Sequence, residues 1–254
     1  MPDSPFTPVD DSGAPRFHTL TIIIPVFNER KTVMDLLRQV AAQPVPLRKE
    51  IVIVDDFSTD GTREFFQQID LQSELGDNGA NIVTLALHGK NMGKGAGVRT
   101  GFAHSTGDIV LIQDADLEYD PADYPELLRP ILNGHADAVF GNRFHSGPHR
   151  VQRYYRFLFN RTFSIVCNLL TGITIHDVTA CYKVFTRPLL QRMNLHSDRF
   201  SVETEMTVKA AKLRARIYEV PIAYHGRTFA EGKKITWHDG YKALYDLIRY
   251  RFKD

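Results

Sequence analysis

The sequence has few cysteines, and their placement excludes two common roles for that residue. Cys167 and Cys181 are the only cysteines, they form no CxxC pair, and both lie among apolar neighbours. Reduced thiols of this kind are typical of cytosolic proteins, and we favour them over a disulfide. Nothing in the sequence resembles a set of zinc ligands. We therefore predict two reduced thiols in a protein core.

An excess of charge of one sign is also lacking. The 31 lysines and arginines nearly balance the 30 acidic residues, so the formal net charge is +1. Proteins that bind nucleic acid usually carry a basic excess, and we therefore exclude nucleic acid as a partner. Any attraction for anions must come from local clusters of cations. The hydrophobic fraction of 43% is ordinary for a globular protein of this length.

No apolar run is long and uninterrupted enough to predict a membrane-spanning helix. The longest, residues 157–175, is interrupted by Asn160, Arg161 and Asn168. An arginine at the centre of a spanning helix costs about 2.5–3.5 kcal/mol even on insertion scales. Residues 1–17 are rich in proline and contain no apolar run, which predicts a disordered tail rather than a signal peptide. We predict a cytoplasmic protein that is free in solution or peripheral at the inner membrane face.

The most informative stretch of the sequence is an apolar run that ends in two carboxylates. Residues 109–112 predict a buried strand, and Asp114-Ala115-Asp116 follows it. Residues two apart on leaving a strand point to the same side, so both carboxylates can share one ligand. Together they form a hard oxygen site for Mg²⁺ or Mn²⁺ with positions left open for substrate phosphates. Open α/β sheets bind their ligands at this end of the strands.

The order of apolar stretches predicts the class of fold. Helical patterns separate stretches that predict buried strands at 20–24, 50–56, 82–87 and 109–112. This alternation predicts a parallel sheet wound as in Rossmann folds, with helices on its faces. We expect Pro25 to end the first strand, Asn28 to cap the first helix and residues 71–81 to form a loop.

A glycine-rich segment, Asn91–Gly97, follows the third predicted strand. Its composition is similar to that of a phosphate loop, but it lacks the Walker spacing, and Gly95 stands where such a loop has Ser or Thr. We therefore interpret it as the entry of a helix at which two backbones pack closely.

Four segments, in this order, resemble the motifs of one enzyme family. They are Ile24-Pro-Val-Phe-Asn-Glu29, Val54-Asp-Asp-Phe-Ser-Thr-Asp-Gly-Thr62, Asn91-x-Gly-Lys-Gly95 and Asp114-Ala-Asp-Leu-Glu118. The chain resembles the inverting glycosyltransferases of family 2, and among them it is most similar to the dolichyl-phosphate mannose and glucose synthases. The similarity extends from Leu20 to the C-terminus. It implies the GT-A fold, with a Rossmann-like, mostly parallel sheet between helices.

The resemblance also implies the reactants and the residues that bind them. The donor would be a nucleoside-diphosphate sugar of the GDP-mannose or UDP-glucose type, the cofactor Mg²⁺ or Mn²⁺, and the acceptor a polyprenyl phosphate at a membrane surface. Donor-binding positions would be Pro25, Phe27, Glu29, Val54, Asp56, Asp114, Ala115, Asp116, Arg227, Lys233 and Lys234. Asp114 and Asp116 would hold the metal. Asp116, Arg143 and Arg227 would act in catalysis, and Arg143 and Arg156 would meet the acceptor phosphate.

Two of these assignments have a direct chemical reason. Phe27 offers a face on which a base can stack, and Asp56 can accept an N–H from uracil or guanine, so the base stays open. Residues 225–235 predict a flexible loop that closes over the pyrophosphate through Arg227 and one of the two lysines. Direct ligation of the metal by Glu118 is not implied.

The domain organisation follows from the same patterns. We predict a tail at 1–17, a single GT-A domain at 18–236 whose nucleotide-binding half extends to about residue 120, and an amphipathic helix at 237–254 capped by Asp239. A late edge strand is expected at 217–224. The apolar stripe of the last helix fits core packing or a membrane surface.

Two other functions fit the sequence. One is a soluble glycosyltransferase that acts on a hydroxyl of a saccharide or small molecule, with a carboxylate base from 177–183 or 200–205. The other is a non-catalytic module that binds a nucleotide sugar.

Overall fold

The computed structural model describes residues 16–76, 80–144, 154–199, 201–227 and 237–253, apart from the side chains of 156 and 237–242. The strands in these ranges are β1 (Thr19–Val26), β2 (Arg48–Asp55), β3 (Asn81–Leu87), β4 (Ile109–Ile112), β5 (Ala138–Asn142), β6 (Lys183–Thr186) and β7 (Ile217–Pro221). The helices are α1 (Val33–Ala42), α2 (Thr62–Gln68), α3 (Leu71–Leu75), α4 (Lys94–His104), α5 (Tyr124–Leu132), α6 (Tyr154–Thr171), α7 (Arg187–Met193), α8 (Val202–Lys212) and α9 (Trp237–Phe252). The predicted tail lies almost wholly outside the described residues.

All seven strands belong to one sheet, in the order β3-β2-β1-β4-β6-β5-β7. The first four strands in the chain pair in parallel, and only β6 runs antiparallel to its neighbours β4 and β5. β7 pairs in parallel with β5 and forms an edge of the sheet, as predicted. The predicted α/β class with a mostly parallel sheet is therefore confirmed. The chain proceeds outward from β1 to β3 and resumes at β4 on the other side of β1, which creates a switch point between β1 and β4.

Alternating residues of the central strand bury against opposite layers of helices. Ile22 and Ile24 belong to a core cluster that contains the apolar face of α1. Ile23 belongs to a second cluster, with Val98 of α4 and the inner residues of α6 and α8. Both faces of the strand are covered, and this explains why its sequence is a continuous apolar run rather than an alternating one.

The first strand and the first helix differ from their predicted bounds. β1 continues through Pro25, which pairs with Val54 of β2. Proline is tolerated there because pairing with β4 ends at Ile23, so no strand requires an N–H from Pro25 on that side. Asn28 does not cap α1, which begins at Val33. It adopts a φ of 53°, and its side chain accepts a hydrogen bond from the Thr59 amide.

Two further predictions about local structure were wrong. Residues 71–75 form helix α3, because Asp70 accepts a hydrogen bond from the Ser73 amide and Leu71 and Leu75 are buried one turn apart. The last helix begins at Trp237, so Asp239 lies in its first turn and is not its cap. The two thiols are free, with Cys167 buried and Cys181 half-buried. The predicted domain boundaries remain a prediction.

Backbone contact explains the glycines at the entry of α4. A Cβ on Gly95 would lie 2.2 Å from the carbonyl oxygen of Ser197, and one on Gly93 would lie 2.4 Å from that of Asp198. Gly93 also has a φ of 95°, which other residues rarely adopt. The amide of Ala96 donates to the Asp198 carbonyl oxygen at 3.0 Å. The interpretation of Asn91–Gly97 as a closely packed helix entry is confirmed.

This contact generates a prediction for stability. Gly95→Ala should lower the free energy of unfolding by about 1–3 kcal/mol, because the new methyl group meets backbone that cannot rotate away. Urea denaturation followed by circular dichroism measures the change. Gly89→Ala is the control, since a Cβ there has no neighbour within 4 Å. Equal stability of the two variants would contradict the proposed contact.

Candidate functional site

The loops that leave β1, β2 and β4 meet at the carboxyl edge of the sheet, and each contains a residue in the left-handed region. These residues are Asn28, Phe57 and Leu117, with φ of 53°, 63° and 59°. Such conformations cost about 1–3 kcal/mol each and occur often at functional sites. The first two loops are also joined, because the amide of Asn28 donates to Ser58 Oγ at 2.9 Å.

Three carboxylates are crowded in the turn after β4. Asp114, Asp116 and Glu118 follow the strand at alternate positions, and the amide of Glu118 donates to Asp116 Oδ1 at 3.1 Å. The pKa of Asp116 is raised to about 7, first by burial and then by the charges of Asp114 and Glu118, while Arg227 opposes the rise. An accumulation of negative charge in a partly buried site favours the binding of a cation.

Two cationic side chains already contact this turn. Lys94 Nζ lies 2.5 Å from Asp114 Oδ1 and 2.7 Å from Glu203 Oε1. Burial opposes the charge of Lys94, but Asp114 and then Cys181 and Glu203 raise its pKa well above the usual value. On the other side, Arg227 Nη2 lies 2.7 Å from Asp116 Oδ2. Each aspartate of the Asp114–Asp116 segment, here called the DxD, therefore has a cation of its own.

Arg227 reaches the DxD from a position 111 residues further along the chain. Glu118 fixes the stretch 224–227 after β7. Its carboxylate accepts hydrogen bonds from the Arg227 amide at 2.7 Å and from the Tyr224 hydroxyl at 2.8 Å. Both Nη atoms of Arg227 also donate to Glu29 at 3.1 Å. The structure thus brings together the ends of β1, β4 and β7 around one guanidinium group. Glu118 binds the chain rather than facing an open site.

Pro25 and Val54, two of the residues expected to hold the nucleoside, lie against Gly97 of α4. Val54 is fully buried, and a Cβ on Gly97 would lie 3.0 Å from Pro25 Cβ and 4.0 Å from Val54 Cγ1. Phe27 is half-buried beside them. The backbone carbonyl of Ala115 accepts a hydrogen bond from Thr32 Oγ1 at 3.1 Å.

Asp56, the expected acceptor for the base, already has four donors from its own chain. Its carboxylate oxygens lie 2.7 Å from His88 Nδ1, 2.9 Å from Asn91 Nδ2, 2.8 Å from the Met92 amide and 2.7 Å from the Gly93 amide. These bonds hold the segment that leads into Lys94. A base that donates to Asp56 must share the carboxylate with them, so the role of Asp56 in base recognition remains a prediction.

The bonds of Asp56 predict an effect on stability without any nucleotide. Asp56→Ala should lower the free energy of unfolding by about 1–3 kcal/mol, because the buried His88 side chain and partly buried amide donors lose their acceptor. Asp35→Ala removes an exposed carboxylate from α1 and should change the stability by less than about 0.5 kcal/mol. Thermal unfolding of the nucleotide-free protein measures both. Equal melting temperatures of the Asp56→Ala and Asp35→Ala variants would show that the bonds of Asp56 to residues 91–93 do not stabilise the fold.

The part of the chain after residue 120 contributes a buried arginine next to the same edge. Arg143 follows β5, and its Nε and Nη2 atoms each lie 2.7 Å from an oxygen of Asp177. Nη2 also donates to Thr179 Oγ1 at 2.7 Å, and the guanidinium stands 5.0 Å from the ring centre of Tyr224. Asp177 therefore balances the charge of Arg143, leaving Nη1 outside these bonds. The side chain of Arg156, and the whole of Lys233 and Lys234, lie outside the described residues.

The sequence analysis missed two residues of the site. Lys94 belongs to the glycine-rich segment that was interpreted only as a packing feature. Its signal was the cation within Asn91-x-Gly-Lys-Gly95, placed just after a strand that ends at the same edge of the parallel sheet as β4. Glu203 lies in the segment 200–205, which was assigned to the acceptor side without a particular residue.

The DxD has the donor chemistry for a divalent metal. In the part of the chain that the structure describes, no group of three or more His, Cys, Asp or Glu side chains is arranged to hold an ion. Asp114 and Asp116 nevertheless offer hard oxygen atoms in a site crowded with negative charge. Mg²⁺ is commonly bound by one or two carboxylates while water and substrate phosphates complete its shell. The residues therefore fit Mg²⁺ or Mn²⁺.

Comparison with known proteins defines the class and then the family. The structure is similar to that of glucosyl-3-phosphoglycerate synthase from Mycobacterium tuberculosis, at a TM-score of 0.68 and 17% identity over 92% of this chain and 80% of the other. A second structure of that protein, with Mn²⁺, UDP and glucosyl-3-phosphoglycerate, gives a TM-score of 0.67 at 18% identity, over the same shares of both chains. The chain thus has the GT-A fold. The profile of "Glycosyl transferase family 2" matches residues 21–193. The chain belongs to this family.

Two curated relatives extend the comparison over most of the chain. Glycosyltransferase AglJ of Haloferax volcanii is 31% identical over 211 residues, which are 81% of this chain and 63% of AglJ. An undecaprenyl-phosphate 4-deoxy-4-formamido-L-arabinose transferase of Salmonella paratyphi A is 27% identical over 235 residues, 90% of this chain and 66% of that protein. The chain spans slightly less than two thirds of the length of these relatives.

Proposed function

We propose that this chain is a metal-dependent glycosyltransferase that moves a hexose from a nucleoside-diphosphate sugar to a polyprenyl phosphate or similar lipid phosphate, with inversion. The observation that carries the proposal is the DxD at the switch point between β1 and β4, with Arg227 beside Asp116, in a chain of family 2. A relative named for undecaprenyl phosphate supports the acceptor. A structural neighbour that binds UDP with Mn²⁺ supports the donor class.

The chemical problem is the negative charge that develops on the leaving nucleoside diphosphate. Asp116 and Asp114 would hold Mg²⁺ or Mn²⁺, which neutralises charge on a pyrophosphate. Arg227 supplies a second positive charge from a side chain that is 18% exposed. Cationic groups that are fixed before the reaction, in a site with little water, stabilise developing charge more than solvent does.

The acceptor side favours a phosphate over a hydroxyl group. A hydroxyl acceptor needs a base, but Asp177, Glu203 and Glu205 each form an ion pair with a lysine or arginine at 2.7–2.8 Å. An ion-paired carboxylate is a weaker base, because the neighbouring cation favours its charged form. A phosphate acceptor carries its own negative charge near neutral pH and needs no base. These ion pairs support the lipid phosphate over the hydroxyl acceptor.

The outer surface of α6 and α9 supports an acceptor in a lipid layer. We call the exposed apolar residues of these helices the α6–α9 surface: Tyr154, Tyr155, Phe157, Leu158, Phe159, Ile165, Leu169, Leu244, Tyr245, Ile248 and Phe252. The two helices are joined where Arg251 Nε donates to the Leu170 carbonyl at 2.6 Å. No helix among the described residues is long and apolar enough to cross a membrane.

The charges around the α6–α9 surface favour anionic lipid. Arg161, Arg249 and Lys253 are exposed cations on these helices or just after them, and the sequence of α6 contains no Asp or Glu. Asp246 of α9 is buried and accepts a hydrogen bond from Ser201. Aromatic and basic residues on one amphipathic surface are typical of proteins that lie in a membrane interface.

Binding to vesicles tests the lipid surface. The double variant Ile165→Ser and Leu169→Ser should weaken binding to phosphatidylglycerol vesicles by about tenfold, because two side chains that are 50% and 80% exposed would no longer enter the lipid. Co-sedimentation measures the affinity. The matched control is Ile82→Ser with Leu87→Ser on the edge strand β3, outside the α6–α9 surface, and should bind as the wild type does. Equal losses in both double variants would contradict the assignment of this surface.

Substitution in the DxD tests the enzymatic proposal. Asp116→Asn should lower hexose transfer by on the order of 100-fold or more and abolish the Mn²⁺-dependent part of UDP or GDP binding, while the fold stays intact. Calorimetry with and without Mn²⁺, and transfer assays with a polyprenyl phosphate, measure the two effects. Asp120→Asn is the control, because Asp120 caps a turn by accepting from the Ala122 amide and asparagine caps equally well.

Each alternative has its own outcome in the same assays. A non-catalytic module would bind the donor but release no sugar. A hydroxyl-specific transferase would use saccharide acceptors and ignore the lipid phosphate. Near-normal transfer by Asp116→Asn would show that the metal assignment is wrong.

A further inference from the structure

Lys94 occupies an unusual position between the two halves of the site. It is the first residue of α4, and its side chain is 11% exposed. Its ammonium group contacts Asp114 of the donor side at 2.5 Å and Glu203 of α8 at 2.7 Å. The glycines on either side, Gly93 and Gly95, lie against the backbone of residues 197–199 and fix the start of the helix. The ammonium group is therefore held where it is.

This contact has a consequence for any ion bound by the DxD. An ammonium group carries one positive charge and three donors, so it neutralises Asp114 without a metal. A divalent ion on the same carboxylate would lie a few ångströms from that ammonium group, in a site where charges interact more strongly than in water. Lys94 and the ion therefore compete for Asp114.

We propose that Lys94 is a positioning residue that serves as the internal counter-ion of the DxD and keeps the affinity for free Mg²⁺ or Mn²⁺ low until the donor is present. The inference rests on the proposed function for the identity of the metal and the donor. The donor pyrophosphate supplies further oxygen ligands and negative charge, which offset the repulsion by Lys94. The metal then binds well only together with the donor. Glu203 retains the ammonium group when the ion takes Asp114.

A direct role of Lys94 in binding the donor phosphates is the competing explanation. The two explanations predict different changes in the affinity for free metal when Lys94 is replaced in the nucleotide-free protein. If Lys94 acted only on the donor phosphates, its removal would weaken donor binding and leave the affinity for free metal unchanged. Removal of a competing cation should improve it.

Titration of the nucleotide-free protein with Mn²⁺, followed by electron paramagnetic resonance, distinguishes these explanations. Lys94→Met keeps the length of the side chain and removes its charge, and we expect it to bind Mn²⁺ about tenfold more tightly than the wild type does. Lys90→Met is the matched control. It removes the same charge from an exposed position four residues earlier and should leave the affinity unchanged. An affinity of Lys94→Met equal to or weaker than that of the wild type would overturn the proposal.

A second variant separates the release of Asp114 from the exposure of Glu203. Lys94→Met combined with Glu203→Gln leaves Asp114 as the only carboxylate of the two that has lost its cation, which also protects the fold if the single variant is unstable. The double variant should still bind Mn²⁺ more tightly than the wild type does. A return to wild-type affinity would mean that Glu203 had become a ligand and that Lys94 is not a competitor.

These titrations do not depend on the transferase reaction. If no sugar nucleotide binds or reacts, the proposed function fails while the gain of Mn²⁺ affinity in Lys94→Met can still be observed. If Asp116→Asn abolishes metal-dependent donor binding but Lys94→Met gains no Mn²⁺ affinity, the proposed function stands and the counter-ion role fails.

Discussion

Negative charge at the carboxyl edge of the sheet is the constraint on which the rest of this structure depends. Asp114, Asp116 and Glu118 alternate along one short turn, and burial limits the water that can solvate them. Cations and donors must therefore come from elsewhere in the chain. Lys94 comes from α4 and Arg227 from the segment after β7. Both cations therefore join this turn to other parts of the chain.

Several residues outside the turn serve to position Lys94 and Arg227. The glycines at the start of α4 allow the backbone of 197–199 to approach, and this approach sets Lys94 between the donor and acceptor halves. Asp56 holds the preceding segment through partly buried hydrogen bonds to the Met92 and Gly93 amides. Glu118 holds the segment that carries Arg227. Buried polar groups that are fully paired fix a unique geometry, since any shift leaves one of them without its partner.

The acceptor half follows a different principle. Asp177 neutralises Arg143 within the fold, and α6 and α9 present large apolar side chains on the outside. A site whose acids are already paired is suited to an acceptor that carries its own charge, and an aromatic, basic surface is suited to lipid. The proposed polyprenyl phosphate satisfies both conditions at once. The DxD would then bind the donor, and the α6–α9 surface would contact the membrane that holds the acceptor.

The sequence by itself determined the first four strands, the helical segments between them, their parallel sheet and the placement of the DxD after β4. These follow from apolar runs, helical periodicity and short motifs, all of which are local in the chain. Local rules also misjudged Pro25, since whether a proline interrupts a strand depends on where its neighbouring strand ends.

Only the tertiary structure decided which charges meet. Lys94 and Glu203 are separated by more than a hundred residues, as are Asp116 and Arg227, so no spacing rule relates them. The sequence predicts Asp56 as a donor-binding residue, but it gives no sign of the bonds from Asp56 to residues 88–93. The physical reason is that an ion pair needs two atoms within a few ångströms, a distance set by the packing of whole helices and strands and by no short stretch of sequence.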